Sequence, residues 1–191
     1  MLYVFGFEQI GVVVGDLYFV DPDPDKGQEG AERGVRLEVR MLDREPLKGS
    51  IYSATPINIA QPIWRADLLE SIDGPIGTFD RTHHHPAFTG WEPGGRRFVP
   101  DLSADPLGFV ARRLADLRLL LTEAKLPAKE VEDLVEVDGE ALRAAVPEVM
   151  DAVRRLLTGI AAGELAVAPP NSPVTTEEEP DVYILARSGW L

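Results

Sequence analysis

All three histidines of the chain are consecutive, at His83, His84 and His85, inside the segment DRTHHHP. In an extended backbone, successive side chains alternate between two faces, so His83 and His85 are expected to point to the same side. Two imidazoles on one side can share a metal ion, and two histidines with one carboxylate are a ligand set for zinc, iron and similar metals. The segment therefore predicts a candidate metal centre.

Two nearby acids are the candidates for the carboxylate ligand. Asp80 precedes the histidines, and Glu92 follows them in the same stretch of chain. With His83 and His85 they predict a divalent ion (zinc, iron, manganese or nickel) that would activate water in a metal-dependent enzyme. The alternative interpretation is that the histidines only order a loop, through hydrogen bonds to carbonyl groups and stacking on aromatic rings.

Four further side chains of this segment are candidate binding residues. His84 and Arg81 adjoin the predicted ligands, and Phe88 and Trp91 supply aromatic surfaces. In the enzyme interpretation, Arg81 would hold an anionic group of the substrate. In the loop interpretation, the two aromatic rings would support the imidazoles.

The spacing also partly resembles the first motif of the cupin family, in which a glycine and five further residues precede His-x-His. Gly77, His83 and His85 fit that spacing. Glu92 lies too far along the chain for the motif, and no histidine follows His85 to supply the second cupin motif. The resemblance is confined to residues 77–85, and we assign no family from it.

An acidic segment near the N-terminus partly matches a calcium-binding loop. Asp21, Asp23, Asp25 and Glu32 occupy positions 1, 3, 5 and 12 of that template. Lys26 stands where the template needs glycine, and strands rather than helices are predicted on both sides. A solvated acidic turn is therefore the favoured interpretation.

Composition limits the classes of function. The 191 residues include no cysteine, which excludes disulfides, thiolate zinc sites and cysteine nucleophiles. The formal net charge of −13 opposes binding to nucleic acid and to anionic membranes. Glu8 and Asp16 interrupt the apolar N-terminal stretch, which favours strands over a membrane-spanning helix. We expect a cytoplasmic protein with neither a nucleic-acid nor a membrane partner.

Two different periodicities indicate the elements that must position the histidines. Residues 1–104 are strand-rich, with the clearest alternation at residues 35–41, whereas residues 105–163 have helical spacing. Strands followed by helices predict an α+β fold, with a mainly antiparallel sheet (a sandwich or partial barrel) packed on a layer of two to three helices. Residues 74–100 are predicted to be a long ordered loop that carries the histidines.

Shorter segments within these two parts carry their own predictions. Residues 51–54, 57–60 and 63–72 are strand candidates, although the spacing of the last also fits a helix. Asp105 is expected to cap a helix that continues to the turn before Pro127. Asp138 is expected to cap a later helix, which Pro147 should kink or divide.

Residues 1–191 are expected to form a single domain. An acidic, proline-containing linker at 169–180 would precede a terminal strand at 181–191 that returns to the sheet. The apolar stripes of the helices and the apolar C-terminus also suggest a homodimer surface. Because no complete catalytic set is visible, the first hypothesis is a non-catalytic binding or interaction module for a protein partner or small ligand. The alternative is a metal-dependent enzyme of the hydrolase or oxygenase type.

Overall fold

The computed structural model describes residues 1–24 and 26–169. Five strands form one open antiparallel sheet in the order β1-β2-β3-β4-β5. The strands are β1 (Leu2–Gly6), β2 (Ile10–Val20), β3 (Ala31–Arg44), β4 (Ile57–Ser71) and β5 (His83–His85). A separate small hairpin pairs β6 (Phe88–Thr89) with β7 (Glu92–Pro93).

Four helices follow the strands within the described residues. They are α1 (Pro100–Ala104), α2 (Pro106–Ala115), α3 (Leu117–Glu123) and α4 (Ala128–Ala161). The buried side chains of α2, α3 and α4 share one hydrophobic core with β2, β3 and β4. The predicted α+β class with an antiparallel sheet is therefore confirmed, and the sheet is not closed into a barrel.

Alternation along the central strands separates an apolar face from a charged face. Val35, Leu37 and Val39 of β3 are fully buried in the core beside Trp64 and Ala66 of β4. Burying each such side chain stabilises the fold by about 1.5–3 kcal/mol. The residues between them point away from the helices, because successive side chains of a strand alternate. These intervening residues are Arg36 and Glu38 in β3, and Arg65 and Asp67 in β4.

The strand predictions for residues 57–60 and 63–72 are confirmed except at residue 72, since both segments otherwise belong to β4. Pro62 does not end this strand, because the pairing with β3 shifts register around Arg40, opposite Pro62. A register shift of this kind lets a strand accommodate a residue that cannot donate to the ladder. The prediction of a strand at residues 51–54 was wrong. Those residues lie in a turn, in which the Ser53 N–H donates to the Ser50 carbonyl.

The start of α2 is as predicted, with the Asp105 side chain accepting from the Gly108 N–H. The expectation of one helix from this cap to the turn before Pro127 was wrong. The side chain of Asp116 accepts from the Leu119 N–H, ends α2 and begins α3. A short polar residue that can satisfy free N–H donors favours such a new helix start over continuation.

The predicted helix start at Asp138 was also wrong, and Pro147 does not divide the helix, because α4 continues through both residues. Pro147 is exposed, and buried side chains such as Leu142 and Val149 anchor the helix to the core on either side of it. The Asp138 carboxylate caps the turn between β1 and β2 instead of a helix. It accepts from the backbone N–H groups of residues 8, 9 and 10 at 2.9, 2.8 and 3.0 Å.

The predicted linker at 169–180 and the predicted strand at 181–191 lie outside the described residues, apart from residue 169. Among the helices that the structure describes, none has the length and apolar character needed to cross a membrane.

Candidate metal centre

The pairing of β4 with β5 brings two of the three histidines to an acid of the neighbouring strand. Asp67 is paired with His83, and Arg65 is paired with His85. All four side chains therefore lie on the charged face of the sheet. One ligand atom from each of Asp67, His83 and His85 lies within 4.8 Å of the others.

Both imidazoles are held in a defined orientation by backbone carbonyl groups. His83 Nδ1 lies 2.8 Å from the carbonyl oxygen of Arg81, and His85 Nδ1 lies 2.6 Å from that of Gly94. A carbonyl oxygen can only accept, so each Nδ1 carries a hydrogen, and Nε2 of the neutral ring carries a lone pair. Histidines that bind metals through Nε2 are commonly oriented by this type of bond.

The two Nε2 atoms converge on one oxygen of Asp67. The distances to Asp67 Oδ2 are 3.3 Å from His83 and 3.6 Å from His85. Neither Asp67 Oδ2 nor His85 Nε2 has a hydrogen-bond partner within the described residues. Asp67 Oδ2 and His85 Nε2 are therefore buried close together without satisfying one another.

Two arginines hold the Asp67 carboxylate from the sheet. The Nε group of Arg36 donates to Asp67 Oδ1 at 2.6 Å. Arg65 Nε lies 3.0 Å from Oδ2, but it is not aligned for a hydrogen bond. Burial by itself raises the pKa of Asp67, but the positive charges of Arg36 and Arg65 act against it, and that pKa is held well below its usual value. Asp67 is therefore ionised at neutral pH.

The site is enclosed by the segment that follows β5. Asp67 is 0% exposed, and His83 and His85 are each 4% exposed. The ring of Phe98 lies 5.5 Å from that of His83, and the ring of Phe88 lies 6.5 Å from that of His85, centroid to centroid. These rings lie on the outer side of the imidazoles and help to bury Asp67 Oδ2 and His85 Nε2.

His84, a predicted binding residue, points to the opposite face of β5 and into the core. Its ring lies 6.0 Å from that of Trp64 and 5.4 Å from that of Phe109. Burial, aided by the nearby positive charge of Arg113, lowers the pKa of His84 to about 4. His84 is therefore neutral at physiological pH and contributes to packing.

Asp80 and Arg81, predicted as a ligand and a binding residue, bond to neighbouring loops. Asp80 Oδ1 accepts from the Ser71 N–H at 2.9 Å and from the Thr78 hydroxyl at 3.0 Å. Arg81 donates to the carbonyl groups of residues 27 and 29. Neither side chain belongs to the group of Asp67, His83 and His85.

The remaining predicted residues lie on the small β6–β7 hairpin. Glu92 is exposed and is not part of the three-residue group. Trp91 is largely exposed, with the Arg40 guanidinium 5.1 Å from its ring centre. Phe88 is half-buried, with the Arg65 guanidinium 5.7 Å from its ring centre. Phe88 is thus the one of these three that contacts the surroundings of the site.

Sequence reasoning missed Asp67, the acid that the structure brings to the histidines. A signal was present, because Asp67 is a lone acid in the apolar stretch IWRADLL and alternates with buried Trp64, Ala66 and Leu68. A carboxylate there needs a buried partner. The strand that would supply this partner cannot be identified from local spacing.

The candidate calcium loop does not assemble as a ligand set among the described residues. Asp21 forms an ion pair with Arg96, and Asp25 is outside the described residues. Glu32 is buried, and burial raises the pKa of its carboxyl group.

Comparisons with known proteins place the chain in no family. No protein-family model, no curated protein and no solved structure matches it. The interpretation of the site therefore depends on its own geometry.

Proposed function

We propose that the chain is a non-catalytic metal-binding module in which Asp67, His83 and His85 hold one divalent ion. The observation that carries this proposal is the convergence of two Nε2 atoms on Asp67 Oδ2 at 3.3 and 3.6 Å. In a tetrahedral zinc site with bonds of about 2.1 Å, neighbouring ligand atoms are about 3.4 Å apart. The two Nε2–Oδ2 distances are therefore those of neighbouring ligands around an ion.

Electrostatics also favours a cation at this point. Two lone pairs directed at an ionised carboxylate oxygen repel it, and burial prevents water from screening that repulsion. A cation between the three atoms removes the repulsion. Two neutral imidazoles and one carboxylate suit zinc, and iron, manganese and nickel accept the same donors.

The enclosure of the site supports a binding role over a catalytic one. Catalytic zinc sites combine three protein ligands with a fourth position that water or substrate reaches, and the burial of the three residues here limits such access. Here the three residues are at most 4% exposed, and Phe88 and Phe98 lie near the imidazoles. In this arrangement an ion would link β4 to β5 and order the segment that covers them.

The test is the metal content of untagged protein purified without chelators, measured by mass spectrometry. We expect close to one equivalent of a divalent metal, which the His83→Ala/His85→Ala and Asp67→Asn variants lose. Asp80→Asn and Glu92→Gln are matched controls, because these acids lie outside the three-residue group. Both controls should retain the metal.

Two results would contradict the proposal. Wild-type protein that stays metal-free after zinc, iron, manganese and nickel are offered would leave the histidines as loop structure. If Asp80→Asn or Glu92→Gln loses the metal while Asp67→Asn retains it, the ligand set predicted from sequence would be supported instead. Circular dichroism of each variant separates loss of metal from loss of fold.

The second candidate is a metal-dependent hydrolase or oxygenase at the same residues. Its support is the ligand set itself, since two histidines and one carboxylate also hold non-haem iron in oxygenases. Substitution with cobalt(II) distinguishes the two candidates, because its visible spectrum responds to a new ligand. A spectrum that azide leaves unchanged supports a closed site, and a large change supports an open, catalytic position.

A further inference from the structure

The two edges of the five-stranded sheet differ in how they are covered. At the β5 edge, His84 and Arg97 exchange two backbone hydrogen bonds, at 3.1 and 2.9 Å. At the other edge, β1 pairs with β2 alone among the described residues. An edge strand of this kind presents unpaired N–H and C=O groups, which can pair with a further strand.

The open side of β1 can be assigned residue by residue. The Phe7 N–H donates to the Ile10 carbonyl at 2.9 Å, so the odd-numbered residues of β1 bond to β2. Bonded and non-bonded positions alternate along an antiparallel strand, so the even-numbered residues direct their N–H and C=O groups outward. These residues are Leu2, Val4 and Gly6.

The side chains of β1 are apolar on both faces of the sheet. Leu2 and Val4 are 45% and 47% exposed on one face, whereas Tyr3 and Phe5 are partly buried against the core on the other. The strand has no lysine, proline or bulge, which are the features that commonly protect an edge. This edge therefore suits a further strand that is apolar on both faces.

The apolar stripe of α4, from which the sequence suggested a homodimer surface, is already covered. Its buried residues lie in the core of the same chain and include Leu142, Val149, Val153 and Leu156. Of these two surfaces, it is the β1 edge that is open to a further contact.

The chain leaves the described residues beside the start of β1. The Ala166 N–H donates to Asp16 Oδ2 at 2.9 Å. The Asp16 N–H donates to the carbonyl of Met1, directly before β1, at 3.3 Å. Residue 169, the last that the structure describes, is three positions beyond Ala166. Residues 170–191 therefore continue from a point next to the open edge.

Within this remaining part of the chain, residues 181–187 (DVYILAR) have the composition of a strand. They contain no proline, whereas residues 170–180 contain three, and proline cannot donate to a ladder. All four residues of 182–185 are apolar, so an extended backbone would present apolar side chains on both faces. Residues 170–180 can span up to about 36–40 Å, which exceeds the roughly 17 Å length of β1.

We propose that residues 181–187 pair with the open edge of β1 as a sixth strand of the sheet. The backbone groups of Leu2, Val4 and Gly6 are the ones that this strand covers. A segment tethered to the same chain has an effective concentration on the order of millimolar, so it occupies the edge ahead of a second copy at micromolar concentration. The contact is separate from the proposed metal site, which lies on β4 and β5 at the other side of the sheet.

The test is amide hydrogen exchange of the full chain, measured by NMR. We expect the amides of Val4 and Gly6 to exchange at least about tenfold more slowly in wild type than in the Tyr183→Pro/Ile184→Pro variant. Because the N–H groups of adjacent strand residues point to opposite sides, the double substitution removes the one that faces β1 in either register.

Two controls separate loss of the sixth strand from loss of the fold. Thr175→Pro/Thr176→Pro introduces the same two prolines before residue 181 and should leave the Val4 and Gly6 amides as slow as in wild type. The amides of Tyr3 and Phe5 bond to β2 and should stay protected in every variant.

Two results would overturn the proposal. Equal exchange of the Val4 and Gly6 amides in wild type and in Tyr183→Pro/Ile184→Pro would show that residues 181–187 do not cover β1. Protection of these amides that increases with protein concentration and persists in the proline variant would assign the edge to a second copy.

Discussion

The substitution Asp67→Asn tests the charged network from which the candidate site is built. Asp67 is 0% exposed, accepts from Arg36 Nε at 2.6 Å and lies 3.0 Å from Arg65 Nε. Asparagine has nearly the same shape but no charge. The variant therefore leaves two guanidinium groups without their common buried counter-charge.

The expected cost follows from the burial of this pair. Removing one partner of a buried ion pair typically costs about 3–5 kcal/mol. Asparagine keeps an oxygen that can still accept from Arg36, so we expect the lower end, about 3 kcal/mol. With a urea slope of roughly 2–3 kcal/mol per molar, the unfolding midpoint should fall by about 1–1.5 M.

Urea unfolding is measured in the presence of a chelator, so that only the charged network contributes. Asp43→Asn is the matched control, because Asp43 is an exposed aspartate of the neighbouring strand β3. Its free energy of unfolding should change by less than about 0.5 kcal/mol. A loss below about 1 kcal/mol in Asp67→Asn would refute the reasoning, since the carboxylate would then not anchor the arginines.

The difference between wild type and Asp67→Asn should also depend on pH. The pKa of Asp67 is held well below its usual value in the folded chain. A depressed pKa stabilises the folded state above the unfolded pKa of about 3.9, and that stability is lost as pH falls below it. The difference should be constant above about pH 5 and should shrink below pH 4 by up to about 1.4 kcal/mol per unit.

Three further substitutions test neighbouring features. Arg65→Gln removes a positive charge beside the proposed ligand oxygen, so zinc should bind at least about tenfold more tightly in isothermal titration. Unchanged or weaker zinc binding would contradict the placement of the ion. His84→Leu should flatten the pH dependence of stability. Because the pKa of His84 in the folded chain is lowered to about 4, wild type has its full stability above about pH 6.5 and loses about 3 kcal/mol as pH falls towards 4. An equal slope in wild type and variant would assign that loss elsewhere. Asp138→Ala leaves three backbone donors without their acceptor and should lower the free energy of unfolding in urea by about 3 kcal/mol or more. The control Asp151→Ala, at an exposed residue of the same helix, should change it by less than about 0.5 kcal/mol. Equal effects at the two positions would show that the cap is not made in solution.

Several elements could be predicted from local patterns. Alternation at residues 35–41 indicates a half-buried strand because the side chains of a strand alternate between two faces. Asp105 indicates a helix start because its side chain satisfies a free N–H of the first turn. The alternation that places His83 and His85 on one face follows from the same period of two.

The contacts between these elements were decided by the tertiary structure. The sequence by itself determined the α+β class, the start of α2 and the shared face of His83 and His85, because each depends on a short period or a cap. Three contacts follow only from the folded chain. Asp67 pairs with His83, Asp138 accepts hydrogen bonds from the β1–β2 turn, and Phe88 and Phe98 lie near the imidazoles. Strand register and helix docking depend on the packing of the whole core, so no local spacing encodes which acid reaches the histidines.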